Sequence, residues 1–404
     1  MSNFQTRLIL IILFLLPAYL IRIKFGWLSF NVLELLIAAL FLVWIFNKQK
    51  KYIIHNTSYT ISVSLILIGL VLSVIANGNY YSGFGAIKGW FVVPLIFAII
   101  FYDTLKREEI LLRKSLLALF FSGVAVSAIG IVYEFLGVLT YDNRLKIFWD
   151  SPNQLAMFLA VPFLIGILRF DLEEFRELCS RKGKVEPWLM SRAVGVALIA
   201  LNLLFTFSYG AWFAIAAAIL VIFWLKYRNI SQKKYLVISI LILAILLGLA
   251  SIYKYKSIAN SGERSSFASR LTIWKSAGLM IQNNPLFGIG PGNFQEKYLE
   301  YQKYFSSYLE WSAPHPHNVF LAFWLESGFV GLIGFIILLI YFLRDNKKAV
   351  RWTLNRDLGI LFLGIMTYVL IHGLIDTTYW RNDLAVVFWM VIAANAYLPR
   401  EKQI

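Results

Sequence analysis

The chain has 404 residues, 59% of them hydrophobic and 17% aromatic, with a mean hydropathy of +0.69. A soluble domain of that balance has too little polar surface to cover itself, so the composition excludes an ordinary globular protein and points to an all-α polytopic membrane protein. A net charge of +16 would suit nucleic acid, but the placement of the basic residues along the chain argues against that partner.

Apolar runs of about 17–25 residues cross a bilayer core as helices. About twelve such segments are read in chain order: 8–21, 28–46, 59–76, 87–102, 114–139, 152–169, 189–206, 209–226, 234–252, 318–343 with a break near Gly328, 358–375 and 384–398. The first follows Arg7 and has the charged and apolar regions of a signal peptide. It lacks a small-x-small cleavage site and runs into Ile21-Arg22-Ile23-Lys24, so it reads as a retained helix. With the N-terminus in the cytoplasm, about 25 of the 38 Lys and Arg fall in cytoplasmic segments, among them Lys48-Gln49-Lys50-Lys51, Lys106-Arg107 and Lys347-Lys348. The acids divide evenly, leaving roughly +14 inside and roughly +2 outside, with both termini cytoplasmic. The single cysteine, Cys179, lies in a cytoplasmic loop; there is no disulfide pair and no Cys/His metal spacing.

The chain reads as one integrated membrane domain: crossings over 1–252, a large outer loop over 253–317, and crossings with a cytoplasmic tail over 318–404. Within the loop, Phe267, Leu271, Trp274, Gly278 and Ile281 recur at helical spacing, and so do Phe294, Tyr298, Tyr301, Phe305 and Tyr308. Two amphipathic helices lying at the outer face are expected. Between them, Asn284-Pro285 through Gly288-x-Gly290-x-Gly292-Asn293 reads as a tight turn; Pro291 and the missing preceding strand exclude a dinucleotide loop. The bland alternative is a loop that only caps the bundle; long ordered loops are more often functional.

Two of the four histidines fall in Pro314-His315-Pro316-His317-Asn318, where the loop meets the tenth crossing. A histidine at that boundary is placed to take a proton from a sugar hydroxyl; a polar ring anchoring a helix start is the plain alternative. Asn318 and Glu326 follow on the same helix. Arg270 can hold phosphate oxygens in a bidentate manner, or merely snorkel beside Trp274. Glu34, Lys88, Glu134, His372 and Asp376 lie in or near the apolar segments, where charge needs a cavity or a partner. Lys88 sits at the outer end of the fourth crossing, within reach of a lipid phosphate. His372 and Asp376, four apart and followed by Tyr379-Trp380-Arg381-Asn382-Asp383, read as a structural pair.

These blocks, taken together, resemble the O-antigen ligase and polymerase superfamily. In order they are Ser151-Pro152-Asn153-Gln154, Ser208-Tyr209-Gly210-Ala211-Trp212, Arg270-x3-Trp274, Asn284-Pro285-x2-Gly288-x-Gly290-x-Gly292-Asn293, His315-Pro316-His317-Asn318, Glu326-Ser327-Gly328-x2-Gly331, and His372-Gly373-x2-Asp376 through Asn382-Asp383. The resemblance spans roughly 145–390. No single block is specific; the ordered set around one outer loop is.

The resemblance implies a C-type-like membrane glycosyltransferase in the bacterial cytoplasmic membrane, acting on its outer face. The donor is a glycan on undecaprenyl pyrophosphate. The acceptor is the lipid A-core sugar of lipopolysaccharide for a ligase, or another repeat unit for a polymerase. No cofactor and no metal are implied. The family's histidine corresponds to His317 as general base and its loop arginine to Arg270 as pyrophosphate ligand. Lys88, Asn318, His315, Glu326, Asn153, Tyr209 and Arg144 are expected around the substrate, with His372, Asp376 and Arg381 structural. One position departs: family ligases carry arginine where this chain has Tyr209, which leaves Lys88 or Arg144 to supply the charge. One dominant outer loop leans toward ligase over polymerase. Rival readings are a transporter of lipid-linked glycan and a non-catalytic scaffold in a polysaccharide-assembly complex. The transporter reading expects charges at the bilayer midplane and matched broken helices.

Overall fold

The computed structural model describes residues 2–25, 28–47, 57–168, 187–226, 266–305, 313–352 and 356–398. The expected crossing 234–252, the loop carrying Cys179, and Tyr308 lie outside the described residues. The helices are α1 (Ser2–Phe14), α2 (Val32–Phe46), α3 (Thr57–Asn77), α4 (Tyr80–Ile87), α5 (Val93–Leu105), α6 (Ile110–Phe135), α7 (Pro152–Leu168), α8 (Pro187–Phe205), α9 (Tyr209–Lys226), α10 (Ser266–Asn283), α11 (Phe294–Tyr301), α12 (Val319–Trp352), α13 (Arg356–His372) and α14 (Asn382–Tyr397). An antiparallel hairpin of Arg22–Phe25 (β1) and Leu28–Asn31 (β2) joins α1 to α2. Asn31 ends the hairpin and caps α2, its side chain accepting from Glu34 N at 2.9 Å. Glu34 thereby falls in the first turn, where the helix dipole favours an acid.

Among the described residues, five helical stretches are long and apolar enough to cross a membrane: Ser58–Asn77, Tyr80–Leu105, Ile110–Phe135, Tyr209–Lys226 and Val319–Arg351. Shorter apolar helices occupy Phe4–Phe14, Val32–Phe46, Pro152–Leu168, Met190–Phe205 and Asn382–Tyr397. Of the expected segment 358–375, residues 358–372 lie in α13 and the rest in the turn that follows it.

The chain divides into two compact units that alternate along the sequence: Met1–Lys50, Asp103–Lys233 and Asp357–Tyr368 form the first, and Lys51–Tyr102, Lys234–Arg356 and Val369–Ile404 the second. In the first, α6, α7 and α8 pack through small residues. A Cβ at Gly123 would lie 2.4 Å from Pro162 Cβ, and one at Gly166 would lie 2.6 Å from Val196.

In the second unit α3 and α12 approach more closely still. A Cβ on Gly69 would meet Ser327 O at 2.4 Å, and one on Gly334 would meet Ile66 N and Ser62 O at 2.8 Å. Helix α12 breaks at Gly328, with φ 66° and ψ −174°, where the sequence expects a break. In an unbroken helix Phe329 N would donate to Leu325 O. Here Phe329 N donates to Leu286 O at 2.9 Å, and Leu325 O accepts from Ile289 N at 2.7 Å. The glycine-rich turn is thus spliced into the helix ladder. Gly288 (φ 65°), Gly290 (φ 91°) and Gly292 (φ 80°) all adopt left-handed backbone, which explains the spacing as a tight turn. A side chain at Gly288 would come 2.2 Å from Leu325 O.

The loop helices close a small core of Ile273, Ala277, Met280, Ile289, Phe294 and Tyr298 against Leu325 of α12. The buried face of α10 therefore differs from the one expected: Phe267 is 62% and Leu271 40% exposed, while Trp274 and Ile281 pack beside the core. Apolar residues at helical spacing occupy two faces of α10, and packing against α11 selects one of them.

Gly69→Ala should destabilise the protein by about 1–3 kcal/mol through overpacking against α12. Gly278→Ala, in a helix interior with nothing within 4 Å of its new Cβ, should be neutral or stabilise by about 0.5–1 kcal/mol. Melting temperatures of the two purified variants check the pair.

Candidate functional site

The second unit brings Arg270, His317 and Asp376 together. His317 Nδ1 lies 3.0 Å from Asp376 Oδ1, and Arg270 Nη2 lies 3.7 Å from Asp376 Oδ2. Three separate elements supply them: α10, the strap before α12, and the turn between α13 and α14. Arg270 Nε donates to Ile375 O at 2.8 Å, aiming the guanidinium at the turn that carries Asp376. Trp274, one helical turn further on, donates its Nε1 to His317 O at 3.3 Å. Asp376 Oδ1 also accepts from Thr377 N at 2.8 Å.

His317 has φ 46°, left-handed backbone that a side chain other than glycine's adopts at an energetic cost. Its neighbours hold it there. Asn318 caps α12, its Oδ1 accepting from Phe320 N (2.9 Å) and Leu321 N (3.0 Å), while its Nδ2 donates to Leu374 O at 3.0 Å. Val319 N donates to Gly373 O at 2.6 Å. The amide of Asn318 is thereby engaged at both ends within the protein.

Burial pushes the Asp376 carboxyl up, but the charge and hydrogen bond of His317, with His372 and Arg270 beside it, outweigh burial and hold it well below the usual carboxylate range. His372, expected to pair with Asp376, is 2% exposed on the last turn of α13; Asp376 N donates to its carbonyl at 2.9 Å.

A second imidazole–carboxylate approach lies on the same strap. His315 Nδ1 is 3.6 Å from Glu326 Oε1, and the His315 ring packs edge-on against Trp90 with centroids 5.5 Å apart. Glu326 is fully buried and its Oε2 accepts from Trp380 Nε1 and, at 3.4 Å, from Gly292 N. Trp90 belongs to a π turn, Lys88–Val92, that Lys88 opens. Pro94 explains this turn. It has no N–H to give Trp90 O in an α register or Gly89 O in a π register. Tyr379 Oη donates to Trp90 O at 2.7 Å, and Asn382 Nδ2 to Gly89 O at 3.1 Å. Arg381 is bound to Asp383 through two bonds of 2.7 Å.

Arg144, Asn153 and Tyr209 belong to the first unit. Arg144 Nε donates to Thr206 O at 2.8 Å and its Nη2 to Asn153 Oδ1 at 3.0 Å, with Asp142 at 3.7 Å. Asn143 (φ 55°), Ile147 (φ 54°) and Phe207 (φ 45°) adopt left-handed backbone around this knot. Such a conformation is rare for a β-branched residue, and no local pattern announces it at Ile147. Tyr209 opens α9 with its ring edge-on to Trp212 at 5.2 Å. Among the described residues no three His, Cys, Asp or Glu side chains are grouped as metal ligands.

In this mostly helical membrane protein a buried carboxylate thus joins an imidazole to a guanidinium. Residues 194–336 match the family described as O-antigen ligase, and the match places this stretch in the O-antigen ligase and polymerase superfamily. It includes Tyr209, Arg270, His315, His317, Asn318 and Glu326; Lys88, Arg144, Asn153, His372, Asp376 and Arg381 lie outside it. No curated protein matches the chain. The apolar helices and the family match together point to a bacterial membrane protein.

A carboxyl with a depressed folded-state pKa stabilises the fold above its unfolded value of about 3.9 and loses that contribution as pH falls below it. Asp376→Asn should therefore melt below the unaltered protein at about pH 7, and the gap should narrow below about pH 4. Thermal melts across that range check the sign.

Proposed function

We propose that the protein transfers a glycan from undecaprenyl pyrophosphate to a sugar hydroxyl at the outer face of the cytoplasmic membrane, in the manner of an O-antigen ligase. The observation that carries this reading is the convergence of His317 and Arg270 on Asp376. When His317 is neutral, a proton kept on Nδ1 by Asp376 leaves Nε2 with a lone pair for the acceptor hydroxyl. Nε2 takes the hydroxyl proton as the oxygen bonds to the anomeric carbon. The bond from that carbon to the pyrophosphate oxygen breaks, and the oxygen leaves with the electron pair. Arg270 balances the negative charge that grows on it. One displacement without a covalent enzyme intermediate inverts the anomeric centre.

His315, with Glu326 behind it, and Lys88, two residues before Trp90, are proposed to contact the donor. In this reading Asn318 acts by holding the strap rather than by touching sugar. The lipid A-core is the proposed acceptor; a polymerase would use a second repeat unit in the same chemistry. Transport would claim the broken helix α12. However, the freed Leu325 O and Phe329 N are taken by residues 286–289 of the same chain, not left for a ligand.

His317→Ala should lower turnover of a polyprenyl-pyrophosphate-linked donor by about 10²–10⁴-fold, the usual contribution of a general base. Its detergent elution profile should match that of the unaltered protein, while its melting temperature falls because Asp376 loses a partner. Full turnover in a folded His317→Ala protein would remove the proposed base. Glycans on the lipid carrier after gene deletion separate the acceptors: long chains accumulate for a ligase, single repeat units for a polymerase.

A further inference from the structure

We infer that the turn 285–289 is a re-entrant element seated in the hydrocarbon of the bilayer, with Leu286 and Phe287 facing lipid acyl chains. The sequence places this stretch in the large outer loop, outside the crossings. Three observations oppose that placement.

The first is depth. Charge resumes on α12 at Arg344-Asp345 and continues at Lys347-Lys348, marking one boundary. A core of ~30 Å at 1.5 Å per residue takes about 20 residues, which reaches back to Trp324, an interfacial residue type. Phe329, which binds Leu286 O, then lies roughly 7 Å inside the far boundary. Helix α3 gives the same depth independently. Ser73 Oγ donates to Phe287 O at 2.5 Å, and Ser73 precedes the end of the Ser58–Asn77 span by four residues, or ~6 Å.

The second is the backbone. Irregular chain in hydrocarbon must have its polar groups satisfied by protein. Seven successive carbonyls, Pro285 to Pro291, accept hydrogen bonds: from Trp324 Nε1, Phe329 N, Ser73 Oγ, Asn77 Nδ2, Asn293 Nδ2, Asn293 N and Asn79 Nδ2. A turn in water would leave several of these to solvent.

The third is the outward face. Leu286 is 62% and Phe287 45% exposed. They extend an exposed apolar stripe on α12, formed by Phe329, Ile333, Ile336, Ile340 and Leu343, which repeats every three or four residues as a lipid-facing surface does. Exposed Ile75 of α3 lies at a similar height. Continuity with these two crossings selects acyl chains as the occupant. Asn293, just beyond the turn, directs its Nδ2 back to Ile289 O.

The test is nitroxide accessibility in phosphatidylcholine–phosphatidylglycerol vesicles, using Leu286→Cys in a Cys179→Ser background. Ile340→Cys serves as the lipid reference and Glu300→Cys as the aqueous one. Leu286→Cys should relax with oxygen as Ile340→Cys does, with an oxygen-to-nickel-chelate ratio several-fold above that of Glu300→Cys. A nickel-dominated signal would place the turn in water and overturn the inference. Shielding from both reagents would mean that protein, not lipid, covers the patch, and would overturn it equally. Phe287→Cys repeats the measurement should Leu286→Cys not reconstitute.

Discussion

A buried carboxylate cannot stand alone in a membrane protein, and the demand of Asp376 for partners organises the site. Unpaired, such a charge carries a desolvation penalty of several kcal/mol. It is met by Arg270 from α10, His317 from the strap and Thr377 N from its own turn. One atom group thus ties three elements distant in sequence. The left-handed backbone at His317 persists because Trp274, Asn318 and Gly373 pin the residues around it. In the proposed mechanism this strain, held by surrounding bonds, serves as pre-organisation of the ring.

The second constraint is satisfaction of the backbone. At Gly328 the helix ladder opens, and the turn 286–289 fills it with a donor and an acceptor of its own. At Pro94 the missing N–H leaves two carbonyls, which Tyr379 and Asn382 satisfy. Both repairs lie beside His315 and Glu326. The first seats Gly292 against Glu326, and the second sets Trp90 against His315. These departures from ideal helix geometry therefore hold the walls of the second imidazole–carboxylate pair.

The first unit has its own polar knot, with Arg144 holding Thr206 and Asn153 amid three left-handed residues. Tyr209, standing where the family's arginine is expected, follows Phe207 in this same segment. Strained backbone gathered around one arginine parallels the arrangement at His317, and it sits on the sequence blocks that first suggested the superfamily.

Much of this was legible in the chain. Hydropathy alone announced the membrane helices, because transfer of backbone into hydrocarbon allows few other solutions. The break near Gly328 and the tight turn at Gly288-x-Gly290-x-Gly292 followed from glycine's access to left-handed backbone. His317 and Arg270 stood out by residue type at a boundary. The partner they share did not: local spacing set Asp376 beside His372, four residues away, and gave no sign that it also meets His317 and Arg270. Likewise α10 offered two apolar faces, and only packing against α11 and Leu325 chose Ile273, Ala277 and Met280 over Phe267 and Leu271. Sequence determined which residues carry charge, which runs prefer lipid and where the backbone can bend, since these are properties of single residues and short windows. Tertiary structure alone decided which charges meet and where the turn is seated, because those depend on hydrogen bonds and burial between segments tens to hundreds of residues apart.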